Sequence, residues 1–198
     1  MSRVIFAGAL FAGTIIYVSS DEPQLTTTGF MRDQISLDLR DATPASARVL
    51  THAFVPAAAR EEKKVRKKLA SLGNDWQARG LTVSVTPMEF DDAAVKFADQ
   101  VDGWLASEGL AAEQAFLNED MGEVSHPPAA HGFVIRCHEN HRAEARKLLL
   151  ALSPLMRGSV SIEFSQRAAP GQMDIYIEGA PRFNDAGVAY FPAVDADV

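Results

Sequence analysis

An uncharged apolar run extends from Val4 to Val18. Two serines follow it, and then the polar turn residues Asp21-Glu22-Pro23. The run has the apolar character of a signal peptide and is slightly short for a transmembrane helix of about 20 residues. Its second half, Thr14 to Val18, has the β-branched composition of a buried strand. We therefore treat residues 1–20 as a membrane anchor or as buried strands. The leading expectation is a membrane-associated protein, and the alternative is a soluble protein within a cytoplasmic or particle-bound complex.

Beyond this run, apolar residues recur at either the two-residue period of strands or the longer period of helices. Ile35, Leu37 and Leu39 alternate with polar residues and predict a strand at 34–39 inside a polar connector, residues 21–46. Further strands are predicted at 48–55, 81–85, 132–138, 158–164 and 172–177, and helices at 57–77, 92–108 and 142–156. These elements place a domain at 47–178, followed by a C-terminal tail at 179–198.

The order of these elements indicates an internal repeat. His52-Ala53-Phe54-Val55 is similar to His131-Gly132-Phe133-Val134, and Arg79-Gly80 is similar to Arg157-Gly158. Two strand–helix–strand units joined by a helix predict an antiparallel-dominated sheet with helices on one face. The predicted fold class is therefore α+β, as a ferredoxin-like or duplicated βαβ sandwich with an apolar N-terminal extension.

Composition narrows the classes of function. The 198 residues are 47% hydrophobic, which suffices for a core, and the net charge of −7 argues against a dedicated nucleic-acid binder. Cys137 is the single cysteine, so an internal disulfide is excluded. Strand alternation places Cys137 on the same face as Phe133 and Ile135, which predicts a core residue rather than a nucleophile. No nucleotide-binding or nucleophile motif is complete, no family is recognised, and no cofactor is predicted.

The densest polar cluster lies where a predicted strand ends and a helix begins, at Cys137-His138-Glu139-Asn140-His141. Imidazoles are common zinc ligands, so His131, His138 and His141 are candidate metal ligands. A metal-assisted hydrolase that uses this turn is the alternative function. The spacing matches no named zinc motif, and the competing interpretation is a solvated turn with Asn140 as the helix N-cap.

A cationic segment lies on the first predicted helix, where residues 60–68 include six basic side chains in nine positions. Such a segment can contact phosphate, an acidic protein or an anionic membrane. The alternative is a solvated helix face on which Glu61 and Glu62 pair with neighbouring cations. The candidate partner-binding residues are Lys63, Lys64, Arg66 and Lys67.

A core, an apolar end and the lack of a convergent catalytic set together favour a non-enzymatic assembly or interaction subunit. The apolar N-terminus would attach it to a membrane or a larger complex. The expected partners are proteins in that assembly or further copies of the chain, with a membrane contact through residues 4–18; nucleic acid is not expected.

Overall fold

The computed structural model describes residues 15–18, 23–25, 29–38, 50–88, 91–112 and 132–191. Within these residues the helices are α1 (Ala59–Ala78), α2 (Asp92–Ser107) and α3 (Arg142–Leu152). The strands are β1 (Ile15–Val18), β2 (Gln24–Leu25), β3 (Met31–Asp38), β4 (Thr82–Pro87), β5 (Gly132–His138), β6 (Met156–Ser165), β7 (Gln172–Glu178), β8 (Arg182–Phe183) and β9 (Ala189–Phe191).

The strands form a mixed sheet with the order β1-β3-β6-β5-β7-β4. β5 and β6 are parallel neighbours joined by α3, so they form one βαβ unit. β3 pairs antiparallel with β6, β7 pairs antiparallel with β5, and β4 runs parallel to β7. β2 pairs with β3, while the β8–β9 hairpin joins the sheet where β9 runs parallel to the first residues of β6.

The core lies between the helices and one face of the sheet. Alternate strand residues and the apolar stripe of each helix belong to one buried cluster, which is the pattern expected of a sheet covered on that face. Its members include Val65, Leu69 and Trp76 from α1, Phe97 and Leu105 from α2, Leu148 and Leu152 from α3, and Phe133, Ile135, Ile162 and Ile175 from the sheet. The predicted α+β class is confirmed, as are helices packed on one face.

The opposite face of the sheet carries a row of charged residues. Arg32, Glu163 and Arg136 are aligned across β3, β6 and β5. Glu163 accepts hydrogen bonds from Arg32 Nη2 at 2.6 Å and from Arg136 Nη2 at 2.8 Å, and its side chain is 0% exposed. The guanidinium of Arg136 lies 4.1 Å from the centre of the Phe30 ring. These contacts tie the three strands together around a carboxylate that is shielded from solvent.

Predicted and observed elements differ mainly in the first half of the proposed repeat. The strand predicted at 48–55 is wrong over the described residues 50–55, where Thr51 forms only an isolated bridge with Phe183. Thr51 and Phe183 exchange two backbone hydrogen bonds at this bridge, but β8 is only two residues long, so the pairing does not extend into a strand. Phe54 packs edge-on against Phe183 beside the bridge, with ring centroids 5.5 Å apart. α1 and β4 therefore lack the first strand of a βαβ unit. Neither the duplicated βαβ arrangement nor the ferredoxin-like arrangement is confirmed.

The helix predicted to reach Met156 ends at Leu152, and Ser153–Leu155 form a 3-10 turn. Pro154 explains the change, because proline has no backbone N–H to continue the helical hydrogen bonds. Met156 then begins β6, which starts two residues before the predicted strand. At Gly158 a Cβ atom would lie 2.0 Å from the Phe191 carbonyl oxygen, so β9 can approach β6 only at a glycine.

The chain termini contribute to the same sheet. β1 pairs antiparallel with β3, with Ile15 opposite Asp38, so the end of the apolar run is a strand. Residues 1–14 lie outside the described part of the chain. β3 comes from the predicted connector, and Phe183 and Phe191 from the predicted C-terminal tail are buried in the core. Among the helices of the described residues, none combines the length and the apolar character needed to cross a membrane.

Candidate functional site

The orientation of α1 follows from its apolar stripe. Val65, Leu69 and Trp76 recur at helical spacing and are fully buried, which turns the remaining positions of the helix outward. Leu72 is half-buried at the edge of the stripe. The six basic residues of the segment 60–68 are consequently all exposed, as a continuous surface along the first half of α1.

The cations of this surface differ in whether the chain itself neutralises them. Lys64 Nζ lies 2.9 Å from Glu61 Oε1, and Arg66 Nε lies 3.5 Å from Glu62 Oε1. Lys68 Nζ donates to the carbonyl oxygen of Leu150 at 2.9 Å. Although the side chain as a whole is exposed, partial desolvation of its ammonium group lowers the pKa of Lys68, and the nearby Lys64 charge lowers it further. These three cations therefore already have partners within the fold.

Lys63 and Lys67 have no carboxylate partner among the residues that the structure describes. They stand one helical turn apart and face a shallow groove of about 510 Å³ between α1 and Glu108, the residue after α2. Ala59 and Ala70 line the same groove, together with Glu62 and Arg66. The groove thus combines two ammonium groups that lack an ion-pair partner with the small side chains of two alanines and with the carboxylates of Glu62 and Glu108. We call the surface formed by Ala59, Lys63, Arg66, Lys67 and Ala70 the α1 face.

The positive charges of the α1 face destabilise α1 as an isolated helix. Like charges four residues apart, such as Lys63 and Lys67, destabilise a helix by about 0.2–0.5 kcal/mol per pair. Cations near the positive, N-terminal end of a helix add to this cost. An external anionic surface in contact with the α1 face would remove both effects.

The turn at His138 to His141, which we call the histidine turn, has hydrogen bonds that differ from those predicted. The Nδ1 atom of His138 accepts a hydrogen bond from the Asn140 N–H at 3.2 Å, so His138 rather than Asn140 caps the turn. The Nε2 atom of His141 accepts from the Gly171 N–H at 3.3 Å. Each ring therefore uses one nitrogen to hold the backbone, and only the other nitrogen remains for a ligand.

These hydrogen bonds bear on the predicted metal site. The rings of His138 and His141 are close, with centroids 6.2 Å apart, but the remaining nitrogen of His141 is buried. His131, the third predicted ligand, lies outside the described residues. Within the described ranges no group of three potential metal ligands is present. The metal site stays a prediction with two of its three residues placed near each other.

The prediction of a core position for Cys137 is confirmed. The side chain is buried, and this burial raises the pKa of the thiol to about 12, with the Glu144 charge acting in the same direction. A thiol with this pKa is almost entirely protonated at neutral pH and is a poor nucleophile.

Sequence reasoning missed two sets of charges. The Arg136–Glu163 pair could have been suspected, because each is a charged residue at an alternate position of a strongly apolar strand. The carboxylates of Asp99 and Asp102 on the outer side of α2 gave no such signal, because acidic residues on a helix surface are ordinary.

Comparison with protein-family models, with curated proteins and with solved structures returned no match to this chain.

Proposed function

We propose that this protein is a non-enzymatic interaction subunit that binds an acidic surface of a protein through its α1 face. The observation that supports the proposal is the pair Lys63 and Lys67, which remains unneutralised while the neighbouring Lys64 and Arg66 have carboxylate partners. The small side chains of Ala59 and Ala70 leave space at the same groove for close approach of a partner.

The chemistry of the surface favours a bounded acidic protein patch over an extended polyanion. The chain carries a net charge of −7, so a membrane or nucleic acid would repel most of its surface at long range. Glu62 also lines the groove beside the two lysines. A protein patch can place carboxylates opposite Lys63 and Lys67 while keeping them away from Glu62.

The N-terminal run has a smaller part in this proposal than the sequence alone suggested. Ile15–Val18 pair with β3 and so belong to the sheet. We therefore assign the partner contact to the α1 face, and we leave membrane attachment through residues 4–14 as a separate expectation.

The test is chemical cross-linking of the full chain purified with its partners from its own cells. A carbodiimide joins a lysine amine directly to a carboxylate, so mass spectrometry reports which partner residues contact Lys63 and Lys67. We expect cross-links from these two lysines to Asp or Glu of a partner. We also expect Lys63→Gln with Lys67→Gln to reduce partner recovery about 10-fold, because two exposed charge contacts contribute roughly 1.4 kcal/mol in total.

The matched control is Arg167→Gln with Arg182→Gln, which removes two exposed positive charges elsewhere on the molecule. This control should recover partners as the unaltered chain does. The proposal is wrong if both double variants recover partners equally, or if anionic vesicles or nucleic acid compete for Lys63 and Lys67 more effectively than the protein partners do.

A further inference from the structure

The outer side of α2 is the electrostatic counterpart of the α1 face. Asp92 pairs with Lys96 at 2.7 Å, but Asp99 and Asp102 have no cation partner among the described residues. Burial raises the pKa of Asp102, and the neighbouring Asp99 charge raises it further. The two carboxylates stand three residues apart on one side of α2 without a cation partner, as Lys63 and Lys67 stand four residues apart on one side of α1 without a carboxylate partner.

The spacing of the two sets of charges is compatible with direct pairing. Lys63 and Lys67 are separated by about 6 Å along α1, and Asp99 and Asp102 by about 4.5 Å along α2, at 1.5 Å per residue. Exposed small residues, Gly103 and Ala106, continue the α2 stripe, as Ala59 and Ala70 flank the lysines on α1. A Cβ atom at Gly103 would meet nothing within 4 Å, so this part of α2 is open to a neighbour. We call the surface of Asp99, Asp102, Gly103 and Ala106 the α2 face.

The two faces lie on neighbouring helices of one layer. Arg66 Nη2 donates to Ser107 Oγ at 3.4 Å, and Gln77 Nε2 donates to the Glu108 carbonyl oxygen at 2.9 Å, so the end of α2 is fastened to α1. In a two-fold symmetric pair of chains, each residue contact occurs twice. The α1 face of one copy can then oppose the α2 face of the other, and the reverse contact forms at the same time.

We infer that the acidic partner of the α1 face is the α2 face of a second copy of this chain, in a two-fold symmetric dimer. The inference rests on the proposed function, because it names the partner of the same surface. In the dimer, the like-charge repulsion on both helices is offset by four charges of each sign facing one another, which neither helix achieves alone.

The test is analytical ultracentrifugation of the purified full chain over a range of concentrations, with charge-reversal variants. The first variant carries Lys63→Asp and Lys67→Asp, and the second carries Asp99→Lys and Asp102→Lys. We expect the unaltered chain to form a reversible dimer, and each variant alone to have a dissociation constant at least about 100-fold higher, since like charges then oppose each other at both contacts.

Mixing the two variants provides the decisive comparison. In a mixed pair, the acidic α1 face of the first variant meets the basic α2 face of the second at one contact, and the two unaltered faces meet at the other. Opposite charges therefore face each other at both contacts, so we expect a heterodimer to form. A chain with all four reversals is again self-complementary and should also dimerise. The control, Arg167→Asp with Arg182→Asp, should dimerise as the unaltered chain does.

Because Asp102 is half-buried, its reversal could affect folding, and circular dichroism of each variant checks this. If it does, Asp99→Lys alone, paired with Lys67→Asp alone, repeats the comparison at exposed positions. The inference is overturned if the unaltered chain is monomeric at all concentrations, or if the mixed variants fail to associate. A monomeric chain whose Lys63 and Lys67 still cross-link to other proteins would leave the proposed function standing, whereas loss of both results would remove both proposals.

Discussion

Glu163 shows how single residues hold this fold together. Its carboxylate is 0% exposed and is shared by Arg136, 1% exposed, and Arg32, 20% exposed, on the two flanking strands. A buried carboxylate is costly unless charge and hydrogen bonds compensate for its lost hydration. Here both oxygens are used, since Oε1 accepts from Arg32 and Oε2 from Arg136.

We expect Glu163→Gln to lower the free energy of unfolding by about 3 kcal/mol, because it removes the charge that compensates two arginines in a desolvated site. Glu62→Gln is the control: it breaks the exposed pair with Arg66 and should cost less than about 1 kcal/mol. Denaturant unfolding measures both. Similar losses in the two variants would show that the buried row contributes no more than a surface ion pair.

The predicted partner-binding residues fall into two groups when their individual contacts are compared. Sequence reasoning selected Lys63, Lys64, Arg66 and Lys67 as one group. Side-chain geometry separates Lys63 and Lys67, which face the groove, from Lys64 and Arg66, which pair with carboxylates. Composition shows that six cations are present, but only the side-chain conformations show which of them are already neutralised.

At the scale of elements, charged contacts fasten the helices to one another. Arg79 Nη2, just after α1, lies 2.8 Å from Glu144 Oε1 in α3. Burial acts to raise the pKa of Glu144, but the hydrogen bond from Arg79, a backbone hydrogen bond and the charges of Arg79 and Lys147 together outweigh it, and the net pKa is lowered. A lowered carboxyl pKa stabilises the fold above the unfolded value near 4.5, and this contribution is lost as the pH falls below it.

The edge strand β1 gives a prediction at the same scale. Two truncations, lacking residues 1–14 or 1–20, differ in whether they retain Ile15–Val18. We expect the longer truncation to be less stable than the shorter by about 2 kcal/mol, because it removes the hydrogen bonds of a four-residue pairing, each of which contributes about 0.5–1.5 kcal/mol net.

Thermal or denaturant unfolding of the two truncated proteins measures this difference directly. Equal stabilities would contradict the pairing of β1 with β3 as a stabilising part of the sheet. Fractionation of the same two proteins separately reports whether residues 1–14 attach the chain to a membrane.

At the scale of the whole molecule, one core joins all three helices to the sheet. Cys137 lies in that core at 1% exposure, together with residues from β3, β6, β7 and the β8–β9 hairpin. Because Cys137 belongs to this single core, exposure of its side chain requires disruption of the packing of the whole core. Its thiol is therefore an internal reporter of the global unfolding of the molecule.

We expect a thiol-reactive reagent at pH 8 to label Cys137 in the native protein far more slowly than in the unfolded chain, because the side chain is buried and its pKa is raised to about 12. Labelling of Glu163→Gln should be about 100-fold faster than that of the unaltered chain, in proportion to its larger unfolded fraction. Native labelling at the rate of the unfolded chain would mean that Cys137 is accessible without unfolding.

The sequence by itself determined the elements whose signals are local. β5 was predicted with its observed bounds, and α1 and α2 to within two residues at each end, because helical spacing, the Asp91 N-cap and Gly109 act over a few neighbours. The core position of Cys137 followed from strand alternation in the same way. These features depend on backbone sterics and on which side of an element is apolar.

Only the tertiary structure decided which distant segments meet. Residues 50–55 have the composition of a strand, yet they form a single bridge, between Thr51 and Phe183, because the partner strand β8 is only two residues long. Arg136 and Glu163 neutralise each other across parallel strands. The end of α2 is fastened to α1, so the two helices that carry Asp99 and Asp102 and Lys63 and Lys67 belong to one layer. Such contacts depend on the strand order and the packing of the whole chain, and local patterns carry no information about which partner is chosen when several have similar chemistry.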